Sequence, residues 1–293
     1  MRVLILGSGA GGGVPQWNCG CRNCRAARRK NPTSPRRTQS SAAISTDGLR
    51  WVLLNASPDL TGQLASFPAL APPGGRLRGS SIQAVVLTDG EMDHVTGLLS
   101  LREQNDLRLV TTSAVKELLT KQFPLLPALQ DFCTIRHSRF PYQTTALRIS
   151  SIDLSGNAPR YAHRKSRPGD VVGLRIEARD KTILAYLPCL PGITDAANAL
   201  VAGCDCVLVD GTFWSDNEMI SLDPDKGTAG DMDHVPIGGP DGSLAWLRGL
   251  NVRRKIYTHI NNTNPILRTG SRHRNVVEQT GVEIAFDGMD IRL

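Results

Sequence analysis

One segment limits the fold more than any other. Ser81-Ile82-Gln83-Ala84-Val85-Val86-Leu87 is a nearly unbroken apolar run, the pattern of a strand buried on both faces. It ends at Thr88-Asp89-Gly90-Glu91-Met92-Asp93-His94, and a helical pattern takes over at Val95. Four oxygen or nitrogen ligands therefore fall on one strand-to-helix loop. A solvated acidic loop is the plain alternative, but this density of ligands at the carboxyl end of a buried strand favours a metal site.

The rest of the chain repeats that grammar. Short β-rich runs at Arg2–Leu6, Trp51–Leu54, Ala84–Leu87, Leu107–Thr111, Leu147–Ile152, Val171–Ile176, Ile183–Leu187, Cys206–Val209, Lys255–Thr258 and Val282–Phe286 end in polar or glycine turns. Helical patterns lie between some of them, at Val95–Gln104, Ser113–Gln122, Asp195–Ala202 and Ser243–Leu250. The expectation is one α+β domain over residues 1–293, with helices packed on sheets. Pro68–Gly79 and Leu222–Gly242 read as loops. Two later strands end like the first, at Asp210-Gly211-Thr212 and at His259-Ile260-Asn261-Asn262, while His163 and His234 fall in loops.

Composition narrows the function. The apolar start Val3-Leu4-Ile5-Leu6 is too short for a signal peptide, and no run approaches the roughly 20 residues that span a bilayer. A cytoplasmic protein without membrane insertion is expected. The net charge of +7 is concentrated at Arg22, Arg25, Arg28, Arg29, Lys30, Arg36 and Arg37, which reads either as a solvated loop or as a site for an acidic ligand. Aromatic residues make up only 5%, and no aromatic-interleaved basic repeat occurs, so nucleic acid is not the expected partner. Gly7-Ser8-Gly9-Ala10-Gly11-Gly12 has dinucleotide-site spacing but leads into Val14-Pro15-Gln16-Trp17 instead of a helix. It reads as a tight turn near the active site.

Seven cysteines are present, and three crowd into Cys19-Gly-Cys21-Arg-Asn-Cys24. In a reducing compartment that spacing points to a structural Zn(II) site. The fourth ligand must come from elsewhere, with Asn262 and His273 as candidates. Cys133, Cys189, Cys204 and Cys206 lack such spacing and read as core residues.

These residues also carry a resemblance. The layout resembles the metallo-β-lactamase superfamily, in which H-x-H-x-D-H follows a strand. Asp93-His94 matches the D-H, while Asp89 and Glu91 stand at the two leading histidine positions, a departure that argues against a di-zinc hydrolase. Longer motifs resemble the pyrroloquinoline quinone (PQQ) biosynthesis protein B family: Gly11-Gly12-Gly13-Val14-Pro15-Gln16-Trp17-Asn18-Cys19, Arg37-Thr38-Gln39-Ser40-Ser41, Asn55-Ala56-Ser57-Pro58-Asp59, Asp93 to Arg102 and His259 to Leu267. The resemblance implies a metallo-β-lactamase-like αββα four-layer sandwich, a cysteine-bound structural zinc and a role in making PQQ. It implies either an iron- and oxygen-dependent hydroxylase of a Glu–Tyr-derived precursor or a carrier that helps move PQQ or its precursor to the periplasm. A metal-dependent hydrolase is a further alternative.

One carboxylate and two imidazoles suit Fe(II), and Asp93, His94 and His259 can supply them from the ends of neighbouring strands of one sheet. Asp89, Glu91, Asp210 and His234 are then extra ligands, orienting groups or proton carriers. Arg36, Arg37, Arg102 and His163 are expected to hold a polyacidic substrate. Expected partners are that small precursor and O2, with other PQQ biosynthetic proteins and a second copy of the chain as further candidates.

Overall fold

The computed structural model describes every residue except Asn31, Pro73, Gly75, Arg76 and Asn105, so part of the expected Pro68–Gly79 loop lies outside the described residues. Among the described residues fourteen strands follow in chain order. They are β1 (Arg2–Gly7), β2 (Ser41–Ser45), β3 (Trp51–Leu54), β4 (Ile82–Val86), β5 (Asp106–Val110), β6 (Thr134–Ser138), β7 (Tyr142–Gln143), β8 (Leu147–Asp153), β9 (Val172–Ala178), β10 (Ile183–Leu187), β11 (Cys206–Asp210), β12 (Arg254–Thr258), β13 (Glu283–Ile284) and β14 (Asp290–Arg292). They form two seven-stranded sheets, ordered β14-β1-β2-β3-β4-β5-β6 and β13-β12-β11-β10-β9-β8-β7. In each sheet one half is antiparallel and the other parallel, the parallel sets being β3 to β6 and β10 to β13.

Strand periodicity explains the four layers. Along β1, Val3 and Ile5 enter the core between the sheets with Ile44, Leu54, Leu174, Tyr186 and Leu208. Leu4 and Leu6 face the other way, against Leu60, Leu98, Val115 and Leu119 from the helices that cover the first sheet. On the second sheet Ala185, Leu187, Val207 and Val209 meet Leu200, Leu244, Leu247 and Val277 from a second helical layer. Both faces of the central strands are buried, so they read as continuous apolar runs. The αββα sandwich expected from the sequence is present.

Two helical expectations are modified. Val95–Gln104 is a short α-helix at Met92–Val95 continued by a 3-10 turn over Thr96–Leu101, and Ser113–Gln122 passes from α at Ser113–Glu117 to a π-turn at Leu118–Gln122. Strands β2, β6, β7 and β14 and the helices Arg22–Ala27, Leu60–Ser66, Leu125–Gln130 and Arg272–Gln279 were not expected. No helix among the described residues is long and apolar enough to cross a membrane.

Candidate metal centre

The parallel strands deliver their carboxyl ends to one rim, where open α/β sheets place ligands. Asp93 and His94 sit in the first turn of helix Met92–Val95, on the connection leaving β4, and His259 directly follows β12. These strands belong to different sheets. The expectation of neighbouring strands in one sheet is therefore corrected: the centre straddles the sandwich. The β1 turn reaches across to it, with a bond from the Ala10 N–H to the Ile260 carbonyl at 3.0 Å. His259 takes the left-handed conformation, φ 54°, which costs a residue with a side chain of order 1–3 kcal/mol. The Ile260 and Asn261 N–H groups, bonded to Ser8 and Thr212 carbonyls at 2.9 and 3.1 Å, hold it there.

Ligand atoms of Asp93, His94 and His259 lie within 4.8 Å of one another, as do those of Asp210, His234 and His259. Asp93 Oδ2 stands 3.2 Å from His259 Nε2 and 3.8 Å from His94 Nε2. The His94 and His259 rings meet edge to face at 5.0 Å, and the His234 ring stacks on His259 at 5.5 Å.

The hydrogen bonds separate ligands from the groups that orient them. His94 Nδ1 is 2.8 Å from both oxygens of Asp89, which also accept from Thr88 Oγ1 at 2.7 Å and the Glu91 N–H at 2.9 Å. Asp89 is thereby committed, and His94 Nε2 is left buried with no partner. An unpaired buried nitrogen aimed at a carboxylate and a second imidazole is what a metal would satisfy. His259 Nδ1 is held by Thr212 Oγ1 at 2.8 Å, and Thr212 Oγ1 reaches Asp210 Oδ1 at 2.6 Å. Asp210 Oδ2 accepts from the Leu190 N–H at 3.0 Å and binds His234 Nδ1 at 2.6 Å. Both carboxylates that flank the centre thus orient imidazoles. The residues fit one metal held by Asp93, His94 and His259.

Charge follows the same plan. Burial alone would lower the His94 imidazole, but Asp89 and Asp93 raise it to about 9. His234 is likewise raised against burial by Asp210. Burial opposes ionisation of Asp93, yet His94 and His259 hold it well below the usual carboxylate range. Glu91 moves the other way, pushed up to about 7 by desolvation and then by Asp89 and Asp93.

The centre opens into a cleft of about 830 Å³. Ala10, Gly11 and Gly12 form one wall, and a side chain at Gly11 would lie 3.3 Å from Asp93 Oδ2. Across from them, the Tyr161 hydroxyl donates to the Gly90 carbonyl, pinning the turn that carries Arg160 into the wall. Arg160, Tyr161 and Cys189 line the cleft without having been singled out in the sequence for it. Cys189, read as core, donates its thiol to the Asp233 carbonyl at 3.3 Å.

The structure does not bring the expected substrate residues here. Arg36, Arg37, Arg102 and His163 are absent from the cleft wall. Arg37 is buried, its guanidinium bonded to Ser8 Oγ at 2.7 Å and to the Ala285 carbonyl. Arg36 donates to the Ala27 carbonyl, Arg102 pairs with Glu103 at 3.4 Å, and His163 is exposed at the end of a 3-10 turn. Density along the chain misled because β2 and its flanking loop turn Arg37 inward.

The three cysteines form a separate knob. Their sulfurs lie within 4.8 Å of one another, and Cys21 caps the helix Arg22–Ala27 by accepting from the Cys24 N–H. The Asn262 amide stands 3.0, 3.2 and 3.7 Å from Sγ of Cys19, Cys24 and Cys21. Rotating that amide end for end would present an oxygen to the same point. His273, the other candidate, packs edge-on against Trp214 at 4.6 Å.

The sandwich and its rim centre define a class. Residues 50–260 match the beta-lactamase superfamily domain. A diphosphatase of the PhnP family shares the fold at 20% identity, with a TM-score of 0.69 over 100% of this chain and 97% of that one. The chain is 44% identical to coenzyme PQQ synthesis protein B of Pseudomonas aeruginosa and 42% identical to that of Methylococcus capsulatus, over the full length of each. Zn(2+)-bound PqqB from Methylobacterium extorquens superposes with a TM-score of 0.92 at 37% identity, again over both whole chains. The chain belongs to the coenzyme PQQ synthesis protein B family.

Proposed function

We propose that the chain is an iron- and oxygen-dependent hydroxylase in PQQ biosynthesis, working in the cytoplasm on an acidic Glu–Tyr-derived precursor. One observation carries the reading: Asp93, His94 and His259 converge on an open cleft with His94 Nε2 unpaired, while Asp89 and Asp210 are engaged with His94 and His234. Bound there, Fe(II) would keep open positions for O2 and substrate side by side. Asp89 fixes the His94 tautomer, and the Asp210–Thr212 pair fixes His259. Glu91, titrating near neutrality in the cleft wall, can take or return a proton at its carboxyl oxygen. His234, anchored on Asp210, presents its second nitrogen as a further proton site.

The test is anaerobic reconstitution of the zinc-containing protein with Fe(II) or Zn(II), followed by precursor and oxygen. Oxygen uptake and hydroxylated product with iron alone are expected. Equal turnover with zinc would make the chain a hydrolase, and binding of PQQ without oxygen uptake would make it a carrier.

A further inference from the structure

A second concavity, of about 460 Å³, shares no lining residue with the cleft. Arg22, Arg25 and Arg29 form one side of it, and Arg268, Thr269 and Ser271 belong to the other. The spacing 22, 25, 29 puts the three arginines on one face of the helix Arg22–Ala27 and its exit turn. Like charges at such spacing destabilise a helix. No Asp or Glu lines the concavity among the described residues, and none of the four arginines has a carboxylate within 4.0 Å. Four guanidiniums are thus gathered without a counter-charge of the chain's own.

We propose that this concavity docks a carboxylate-rich segment of a partner protein. The chemistry of the wall selects that occupant. Guanidinium forks match planar carboxylates bidentately. The Thr269 and Ser271 N–H groups of the wall already bond to the Thr33 and Arg268 carbonyls at 2.9 and 3.1 Å, and the guanidiniums are the charged donors that the wall offers. Among the described residues no aromatic ring lines it for stacking a nucleic-acid base. Its lining residues are mainly charged or polar, which favours electrostatic complementarity to an acidic protein surface. Arg25 is already oriented, since its guanidinium donates to the Gly20 carbonyl at 2.5 Å.

The experiment uses the full-length, zinc-containing protein and fluorescent hexaglutamate as probe, with hexaglutamine as the neutral control, read by anisotropy. Hexaglutamate should bind at low salt, weaken as salt rises, and bind about tenfold more weakly to the double variant Arg22→Glu, Arg29→Glu. The double variant Arg139→Glu, Arg179→Glu makes the same charge change at exposed positions outside the concavity and should keep the affinity within about twofold. Should the first pair fail to fold, Arg29→Gln alone should still weaken binding. Failure to bind hexaglutamate, equal loss in both double variants, or displacement of the peptide by inorganic phosphate at lower concentration than by free hexaglutamate would overturn the proposal.

Discussion

The cysteine knob and the cleft centre gather ligands in opposite ways. Cys19, Cys21 and Cys24 lie within six residues on one turn, and the contacts to their sulfurs come from the turn itself and the Asn262 amide. The cleft draws on residues 93 to 259 and on both sheets, and each imidazole is held by Asp89 or by Thr212 before any metal arrives. A ligand set on a loop gains its shape from its metal, whereas a set on strand ends inherits its shape from the fold. The two regions still share a loop. Asn262 lies three residues beyond His259, and the Asn264 amide donates to the Gly211 and Thr212 carbonyls at 2.9 and 3.2 Å, steadying the residue that holds His259.

The sharpest break of the comparison is at the knob. Cys21→Ser should lose zinc and several kcal/mol of stability together, a fall of roughly 10 °C in melting temperature. Metal analysis and thermal unfolding check both, and an unchanged metal content with an unchanged melting curve would make the knob an ordinary turn.

In the cleft, Asp89→Asn should lower the melting temperature of the metal-free chain, because it removes the buried partner of His94, and should weaken metal binding by about 10–100-fold, as expected when a group orienting a ligand is lost. Anaerobic titration with Fe(II) measures it. A wild-type affinity would mean that His94 is not held by Asp89 in the way its hydrogen bonds require.

Acidity sharpens the contrast further. His94 stands at about 9 without metal, so near neutrality its Nε2 carries a proton that must leave before the nitrogen can ligate. Metal affinity should therefore rise by close to tenfold per pH unit between about 6.5 and 9 and level off above. The metal-free chain slopes the other way. Its raised imidazole contributes stability that is fully present below about pH 6.5 and lost as the pH climbs through 9. Melting curves of both forms across that range should diverge in opposite directions.

Local features of this fold were legible in the sequence, and dispersed ones were not. The apolar run into Asp89–His94 located β4 and its ligand-rich exit because strand, loop and ligands are contiguous. The cysteine spacing was legible for the same reason. Which strands are neighbours is not written in any run of residues, so His259 was assigned to the wrong side of the sandwich. Thr212 stands in the sequence only as part of the turn after Cys206–Val209, because a hydroxyl gains meaning only once Asp210 and His259 bracket it. Arg160 and Tyr161 reach the cleft through the Tyr161–Gly90 bond, a contact across 71 residues that no periodicity signals.

The most direct test is an anaerobic Fe(II) titration of the chain, first equilibrated with one equivalent of Zn(II), beside its His259→Ala variant. The wild-type chain should take one iron in the cleft in addition to one zinc at the three cysteines, and His259→Ala should bind that iron at least about 100-fold more weakly while still taking up the zinc and keeping its fold. Two irons in the wild-type cleft, or unaltered iron binding by the variant, would contradict a single centre built from Asp93, His94 and His259.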